Sequence, residues 1–204
     1  MSLIAIHPGA YYHIESFEAP RYGNLFDRLI RPEDLGDAVL SPEDILLVPC
    51  RTPADRMEPH AAKLRAFLDM GGTVVATGES HSERWLPGFD FHEQPTNYWW
   101  WLDKDGDLGV KVLAPDHPMF TKLDPNALTW HLHGWFEPAA GAEVIATNAE
   151  GGAILVIDEV TTKGRMILTT LDPFYHHGSH FMPATTRFLD GFLPWLRELA
   201  DEGG

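Results

Sequence analysis

Residues that could perform chemistry are concentrated in three short segments, of which the first is "GESHS", Gly78 to Ser82. It follows the apolar run "TVVAT" and contains Glu79, Ser80 and His81. A serine at a sharp turn after a strand could act as a nucleophile if a histidine accepts its proton. Serine also often caps a following helix. The segment therefore predicts a nucleophile, a polar group of a binding site, or a helix cap.

The second segment, "DPFYHHGSH", contains histidines that could serve Ser80 as a base. We predict His176 or His177 in that role, with Glu79 or Asp172 orienting the imidazole. Base and nucleophile must then lie within about 3 Å of each other. The candidate catalytic residues are Ser80, Glu79, His176 and His177.

The third segment, "TWHLHGW", places His131 and His133 two residues apart, on one face of a predicted strand. Together with Asp172 and the histidines of the second segment they could build a zinc or iron site. Alternating residues share a face in any strand, so the pair also fits a hydrogen-bonding role or ordinary core and surface histidines. We therefore predict no metal ligands and no cofactor, with zinc or iron as the alternative. The further histidines considered are His176, His177 and His180.

An aromatic run, Tyr98 to Trp101, has no catalytic chemistry of its own. In an extended chain, Trp99 and Trp101 would lie on one face. An exposed pair could stack on sugar rings or form part of a subunit interface, where aromatic residues are enriched. The alternative is packing in the core.

The elements that position these residues begin with a β–α–β pattern. Continuous apolar runs at 3–6, 45–49 and 73–76 predict buried strands. Apolar spacing predicts helices over 24–30 and 57–68, the second ended by Gly71 and Gly72. Buried strands alternating with helices indicate the α/β class, with a mostly parallel sheet covered on both faces.

The second half of the chain predicts further strands and a final helix. Strands are indicated in "NYWWW", "LTWHLHGWF", "AEVIATN", "GAILVIDEV" and "GRMILTTLD", the last two forming a hairpin around "TTKG". A helix begins at Pro183, and Pro194 within it should kink or restart it. This half therefore adds β-hairpin strands to the parallel sheet.

Ligands of open parallel sheets bind beyond the carboxyl ends of the strands. Polar and aromatic side chains follow the predicted strands at those ends and not at the opposite ends. We therefore expect a cleft there that binds a small molecule. The candidate binding residues are His7, Tyr11, Arg51, His81, Trp99, Trp101, His131, His133, Asp172 and Tyr175.

Charge and composition exclude several classes of partner. The 204 residues include 15 Lys plus Arg against 30 Asp plus Glu, a formal charge of −15. Such a field repels phosphate backbones and anionic lipids, so neither nucleic acid nor a membrane is expected as a partner. Cys50 is the single cysteine, which excludes an internal disulfide and any CxxC motif. Without a recognisable signal peptide, the expected location is the cytoplasm.

Five segments in order, "DILLVP", "LRAFLDMGGTVVATG", "DHPMFTKL", "KGRMILTTLDPFYHHG" and "FLDGFLPWL", resemble the class I glutamine amidotransferase-like superfamily. Within it, the chain is most similar to the trehalose-utilisation-type (ThuA-like) proteins. The resemblance implies a single domain over 1–204 with a flavodoxin-like three-layer α/β/α sandwich. It also implies a site at a sharp strand-to-helix turn.

Glutaminase members of that superfamily carry a G-x-C-x-G turn whose cysteine is the nucleophile. Here Ser80 stands at the cysteine position and Ser82 at the last glycine. Cys50 falls elsewhere and is a poor substitute. Because a hydroxyl is a far weaker nucleophile than a thiolate, the resemblance implies no glutaminase activity. Some relatives use serine at this turn, so a serine hydrolase stays open.

The sequence thus predicts a cleft that acts on, or binds, a small molecule, with a carbohydrate-derived one as the candidate. Hydrolysis is the first choice of activity. A non-catalytic ligand-binding or assembly module of the same fold is the first alternative, and a histidine-based metalloenzyme is the second. A homo-oligomer is the expected assembly.

Overall fold

A computed structural model of the chain describes residues 1–96 and 98–202, which form ten strands and five α-helices. The strands are β1 (Leu3–Ile6), β2 (Arg28–Ile30), β3 (Ile45–Val48), β4 (Thr73–Thr77), β5 (Phe89–Glu93), β6 (Lys111–Val112), β7 (Gly134–Pro138), β8 (Glu143–Thr147), β9 (Ala153–Asp158) and β10 (Arg165–Thr169). The α-helices are α1 (Tyr11–Phe17), α2 (Ala54–Met57), α3 (Ala61–Asp69), α4 (Pro173–Gly178) and α5 (Pro183–Glu202).

The strands form one mixed sheet in the order β2-β1-β3-β4-β10-β9-β7-β5. The first five of these run parallel to their neighbours. From β9 onward the pairing is antiparallel, and β8 joins β9 and carries β6. The predicted strand at 73–76 is confirmed as an interior one, between β3 and β10. The predicted hairpin is confirmed as β9 and β10.

Each face of the parallel strands has its own hydrophobic core. Leu3 and Ala5 of β1 belong to one buried cluster, together with Phe188 of α5. Ile4 of β1 belongs to the other, together with Phe67 of α3. Successive residues of a strand point to opposite faces, so a continuous apolar run buries both faces of the sheet. The α/β class is therefore confirmed.

The helix predicted over 24–30 is wrong. A 3₁₀ turn, Gly23–Leu25, is followed by β2, which pairs in parallel with β1. Leu29, counted as part of the helix's apolar side, is 42% exposed. The apolar spacing of the segment was compatible with a helix, but pairing with a neighbouring strand overrides such local preferences.

The aromatic run is not extended, so the predicted alternation of its side chains across a strand is also wrong. Trp100–Leu102 is a 3₁₀ turn. The N–H groups of Leu102 and Asp103 donate to the carbonyls of Trp99 and Trp100 at 2.9 and 3.2 Å. These hydrogen bonds within the turn take the place of the hydrogen bonds to a neighbouring strand that an extended segment would form. The large aromatic side chains on the surface include Tyr98, Trp99 and Trp101.

The segment containing His131 and His133 is likewise not a strand, because β7 begins only at Gly134. The two histidines therefore do not share a face through strand alternation. At the end of the chain, α5 continues through Pro194 without restarting. The side chains before and after the proline are buried, and their packing stabilises the helix. The helix therefore tolerates the one backbone hydrogen bond that the proline removes. Neither α5 nor any other helix in the described residues is long and apolar enough to cross a membrane.

Candidate metal centre

Three loops meet at the carboxyl ends of β3, β4 and β10. The register pairs Val48 with Ala76 and Thr77 with Thr169, so the strands end at one level. The loops that follow supply Arg51, Glu79 and Asp172. Arg51 Nη2 lies 2.9 Å from Glu79 Oε2 and 4.0 Å from Asp172 Oδ2. The cleft predicted at this edge of the sheet is therefore built as the strand pattern indicated.

Gly78 allows these loops to approach one another. Its φ is +57°, in the left-handed region. A Cβ on Gly78 would lie 2.5 Å from the Cβ of Cys50 and 2.7 Å from the Cβ of Asp172. Any side chain at this position would therefore push the three loops apart.

Four residues converge beside this point: His131, His133, Asp172 and His176, each with one ligand atom within 4.8 Å of the others. Asp172 Oδ2 lies 3.1 Å from His176 Nε2 and 3.6 Å from His133 Nε2. The Nε2 atoms of His131 and His176 lie 3.1 Å apart. The structure thus brings together two segments that are about 40 residues apart in the chain.

The spacing of these atoms matches that of ligands around one cation. Atoms about 2.0–2.1 Å from a tetrahedral zinc ion lie about 3.3 Å from one another. Asp172 Oδ2 and His133 Nε2 are buried and have no hydrogen-bond partner in the described part of the chain. Buried polar atoms are normally paired, and these two, 3.6 Å apart, would be satisfied either by a proton on His133 or by a cation between them. The cluster of three histidines and one aspartate could hold a metal ion.

Two neighbouring side chains orient the cluster from outside. The indole N–H of Trp130 donates to Asp172 Oδ1 at 3.1 Å, which leaves Oδ2 to face the histidines. Glu79 Oε1 lies 3.4 Å from His133 Nδ1, on the side of the ring away from Asp172. A carboxylate on the outer nitrogen of a histidine is a common feature of metal sites, where it fixes the ring.

The electrostatics of the cluster favour the metal-binding forms of His131 and Asp172, but not that of His133. Burial lowers the pKa of His131 from 6.5 to about 4, so this ring is neutral at pH 7. Burial opposes ionisation of Asp172, but the imidazoles of His133 and His176 hold the pKa of its carboxyl well below the ordinary value. Burial would lower the pKa of His133, but the adjacent Asp172 and Glu79 carboxylates raise it.

The cluster lies between two cavities. The smaller one, about 260 Å³, is lined by His133 and by the carboxylates of Glu79, Glu83 and Glu93. The larger one, about 790 Å³, is lined by His131, His176, Arg51 and the aromatic run. A ligand in either cavity would therefore contact the cluster.

Ser80 does not form the predicted pair with a histidine. Its side chain is completely buried, and its Oγ has no hydrogen-bond partner among the residues described. The Ser80 N–H donates to the Gly78 carbonyl at 2.9 Å, and the indole N–H of Trp85 donates to the Ser80 carbonyl at 3.1 Å. Ser80 is not among the described residues that line either cavity. The helix-cap interpretation also fails, because the following 3₁₀ turn, Ser82–Arg84, receives no side-chain cap bond.

Of the histidines in the second segment, only His176 reaches the cluster. His177 points away and its Nδ1 lies 2.8 Å from Thr186 Oγ1. His180 is exposed, with its Nε2 3.7 Å from Glu15. Because the segment forms α4, adjacent residues project about 100° apart, which separates His176 from His177.

The remaining predicted residues divide between the cleft and other surfaces. His81 lines the smaller cavity, while Trp99, Trp101 and Tyr175 line the larger one. His7 lies 3.2 Å from Glu18 and lines a separate cavity. Tyr11 is exposed, with its hydroxyl 3.0 Å from Ser179 Oγ. The sequence analysis missed Trp130, whose only signal was its position beside His131, and Arg187 of α5, which lines the larger cavity.

Cys50 is buried below the cleft. Its Sγ accepts a hydrogen bond from the Tyr175 N–H at 3.3 Å. Burial raises the pKa of the thiol. The nucleophilic thiolate is therefore disfavoured at this position.

No family model and no curated protein matches the chain. Among solved structures, the cytoplasmic protein STM1381 from Salmonella typhimurium LT2 has a TM-score of 0.56 at 12% identity, covering 96% of this chain and 99% of that one. The exo-β-1,4-mannosidase Op5Man5 from Opitutaceae bacterium strain TAV5 has a TM-score of 0.52 at 14% identity. The match covers 95% of this chain but 35% of the mannosidase. Both likenesses show a shared fold, and the resemblance to the amidotransferase-like superfamily stays a prediction.

Proposed function

We propose that His131, His133, Asp172 and His176 bind a zinc or iron ion, and that the protein is a metal-dependent hydrolase of a small molecule. The observation that carries the proposal is the convergence of three imidazole nitrogens on one buried carboxylate oxygen. Imidazole together with carboxylate is a ligand set that suits both metals.

A metal ion held by His131, His133, Asp172 and His176 would supply Lewis-acid polarisation of a substrate and activation of water. Of the three glutamates that line the smaller cavity, Glu79 lies 3.4 Å from His133, and we assign it as the group that accepts a proton there. Arg51, paired with Glu79, is placed to stabilise negative charge that develops beside the cluster. The metal ion, the Glu79 carboxylate and the Arg51 guanidinium together support hydrolysis without a serine or cysteine nucleophile.

A non-catalytic binding module is the second candidate, and one observation favours it. His133 lies between Glu79 and Asp172, and these carboxylates raise its pKa. A protonated His133 would satisfy both acids without a metal ion. In that case the cluster would be a hydrogen-bonded network that shapes a ligand cleft.

We further propose a flavodoxin-like three-layer α/β/α sandwich of the amidotransferase-like superfamily, as a single domain. The separate core on each face of the parallel strands supports this proposal. A carbohydrate-derived substrate is supported by the aromatic run beside the cluster. The mannosidase shares the fold alone and adds nothing to that choice of substrate.

Metal content is the measurement that tests the proposal. We expect protein purified without chelators to contain one equivalent of zinc or iron by elemental analysis. His131→Ala and Asp172→Asn should each remove it. His180→Gln, at an exposed histidine outside the cluster, is the matched control and should retain it.

Hydrolysis is tested on a panel of nitrophenyl esters and glycosides. Activity should be lost on chelation, restored by zinc, and absent from Asp172→Asn. Protein that neither contains metal nor binds zinc in the micromolar range would contradict the metal centre. Stoichiometric metal without hydrolysis of any substrate in the panel would favour a binding module.

A further inference from the structure

The larger cavity differs in charge from the rest of the molecule. The chain has twice as many acidic as basic residues, 30 against 15. Nevertheless, no Asp or Glu is among the described residues that line this cavity, whereas two arginines are. The smaller cavity on the other side of the cluster has the opposite character, with three glutamates. The larger cavity is therefore a positive site in an acidic protein.

The two arginines, Arg51 and Arg187, have different partners. Arg51 pairs with Glu79, and its guanidinium carbon lies 3.6 Å from the centre of the Tyr175 ring. Arg51 Nε is buried without a hydrogen-bond partner in the described part of the chain. Arg187 projects from α5, and the structure gives it neither an ion pair nor a hydrogen bond within residues 1–96 and 98–202. Arg187 thus offers an unpaired guanidinium fork, which matches a carboxylate in shape and charge.

Aromatic side chains form much of the rest of the wall. Trp99 and Trp101 are 66% and 59% exposed, and Phe181 is 55% exposed. Exposed aromatic surface of this extent around a concavity marks a binding site. A volume of about 790 Å³ lies within the range of small-molecule sites.

We propose that this cavity binds a small carboxylate built on a ring, with its ring face on the aromatic run and its carboxylate on Arg187. Because the Arg187 guanidinium is unpaired in the described part of the chain and can balance one negative charge, we expect the ligand to be a monoanion. The rest of the molecule then reaches His131 and His176, which line the inner wall. The inference deepens the proposed function and relies on it for turnover, whereas binding itself needs no metal. Sugar acids and aromatic acids share this chemistry.

Calorimetric titration of the full chain tests the inference, with and without zinc after chelation. The probes are D-glucuronate and indole-3-acetate, each compared with its neutral counterpart, D-glucose and indole-3-acetamide. We expect at least one acid to bind about tenfold or more tightly than its neutral counterpart. The acid that binds distinguishes a sugar-derived ligand from an aromatic one.

Three variants assign the contacts. Arg187→Gln should remove the preference for the acid. Lys163→Gln removes the same charge from an exposed lysine in the turn before β10, away from the carboxyl end of that strand, and should leave the preference unchanged. Trp101→Ala should weaken acid and neutral probe alike, by roughly two- to tenfold.

Several results would overturn the inference. Equal affinity for acid and neutral probe in both pairs is one, as is an equal effect of Arg187→Gln and Lys163→Gln. Acid binding that disappears on chelation but survives in Arg187→Gln would place the carboxylate on the metal. A dimer that dissociates in Trp101→Ala, without binding of any probe, would assign the aromatic wall to a second copy of the chain. Protein that neither contains metal nor binds zinc, yet keeps acid binding, would leave this inference standing while contradicting the metal centre.

Discussion

At the scale of the residue, Asp172 connects the cluster to the rest of the molecule. Its side chain is completely buried, with one oxygen bonded to Trp130 and the other facing two histidines. Turning the carboxylate would remove a ligand atom and leave the Trp130 N–H unsatisfied. The indole is therefore a positioning group for the proposed metal centre.

Trp130→Phe should weaken metal binding about 10- to 100-fold, because it removes this outer bond while keeping an aromatic ring. Competition with a chromogenic chelator measures the affinity. Trp195→Phe is the control, since Trp195 is also buried but lies away from the cluster. Equal affinities in the two variants would show that the Trp130 bond does not orient Asp172.

A second prediction for a single residue concerns His13, which is completely buried with its Nε2 3.0 Å from the Cys50 carbonyl. Burial lowers its pKa from 6.5 to about 4. The unfolded chain then binds the proton first as the pH falls below 6.5, so folding stability decreases between pH 6.5 and 4. At pH 5 the loss from this residue is about 2 kcal/mol.

Urea unfolding of wild type and His13→Gln at pH 7.5 and pH 5 measures that loss. Glutamine keeps a donor for the carbonyl but does not titrate. The stability of wild type relative to His13→Gln should therefore fall by about 2 kcal/mol between the two pH values. An unchanged difference would mean that folding does not lower the pKa of His13.

At the scale of the element, the strand-to-loop turn at Gly78 decides how closely the three loops approach. Gly78→Ala should cost about 2–4 kcal/mol, from the left-handed backbone together with overpacking against Cys50 and Asp172. It should also weaken metal binding, because Asp172 has to move. Thermal unfolding and metal affinity are the two measurements.

Gly71→Ala is the matched control for this turn. Gly71 also has a positive φ, +111°, but a Cβ there would meet nothing within 4 Å. The Gly71→Ala variant should therefore lose stability through backbone strain alone, and its metal affinity should equal that of wild type. Equal metal affinity in Gly78→Ala and wild type would show that the close approach at Gly78 does not set the position of Asp172.

At the scale of the whole molecule, metal binding and folding must be linked, because the ligands come from segments that only the folded chain brings together. Zinc at about 100 times its Kd should stabilise the native state by about 2.7 kcal/mol. For a domain of this size, that raises Tm by about 5–10 °C. Differential scanning calorimetry of chelated protein with and without zinc measures the shift.

Asp172→Asn should show no such shift, since the amide replaces the charged ligand. A shift of equal size in this variant would place the zinc elsewhere, for instance on other histidines. The comparison thus ties the stability of the whole chain to the four residues of the cluster.

The amino-acid sequence by itself determined the α/β class and the edge of the sheet that carries the site. The runs at Leu3–Ile6 and Ile45–Val48 are apolar throughout, and Thr73–Thr77 has an apolar centre, as expected of strands buried on both faces. Arg51 and Asp172 could be assigned to the cleft because they follow shortly after the carboxyl ends of β3 and β10. These inferences were possible because a short apolar run indicates a buried strand, and the chain direction then shows which residues follow its carboxyl end.

Prediction from local sequence patterns failed where the backbone forms hydrogen bonds that differ from those of the predicted helix or strand. Residues 28–30 form a strand that pairs with β1 instead of a helix. The aromatic run forms a 3₁₀ turn instead of a strand. His131 and His133 were paired by sequence as strand neighbours, but they share the site from irregular backbone before β7.

Only the tertiary structure decided that His176 and not His177 meets this pair, that Trp130 bonds to Asp172, and that Ser80 is buried outside both cavities. Each of these depends on which loops pack together, which follows from strand order and from the close approach at Gly78. Contacts between residues 42 to 45 positions apart are set by that packing and leave no periodic signal in the chain.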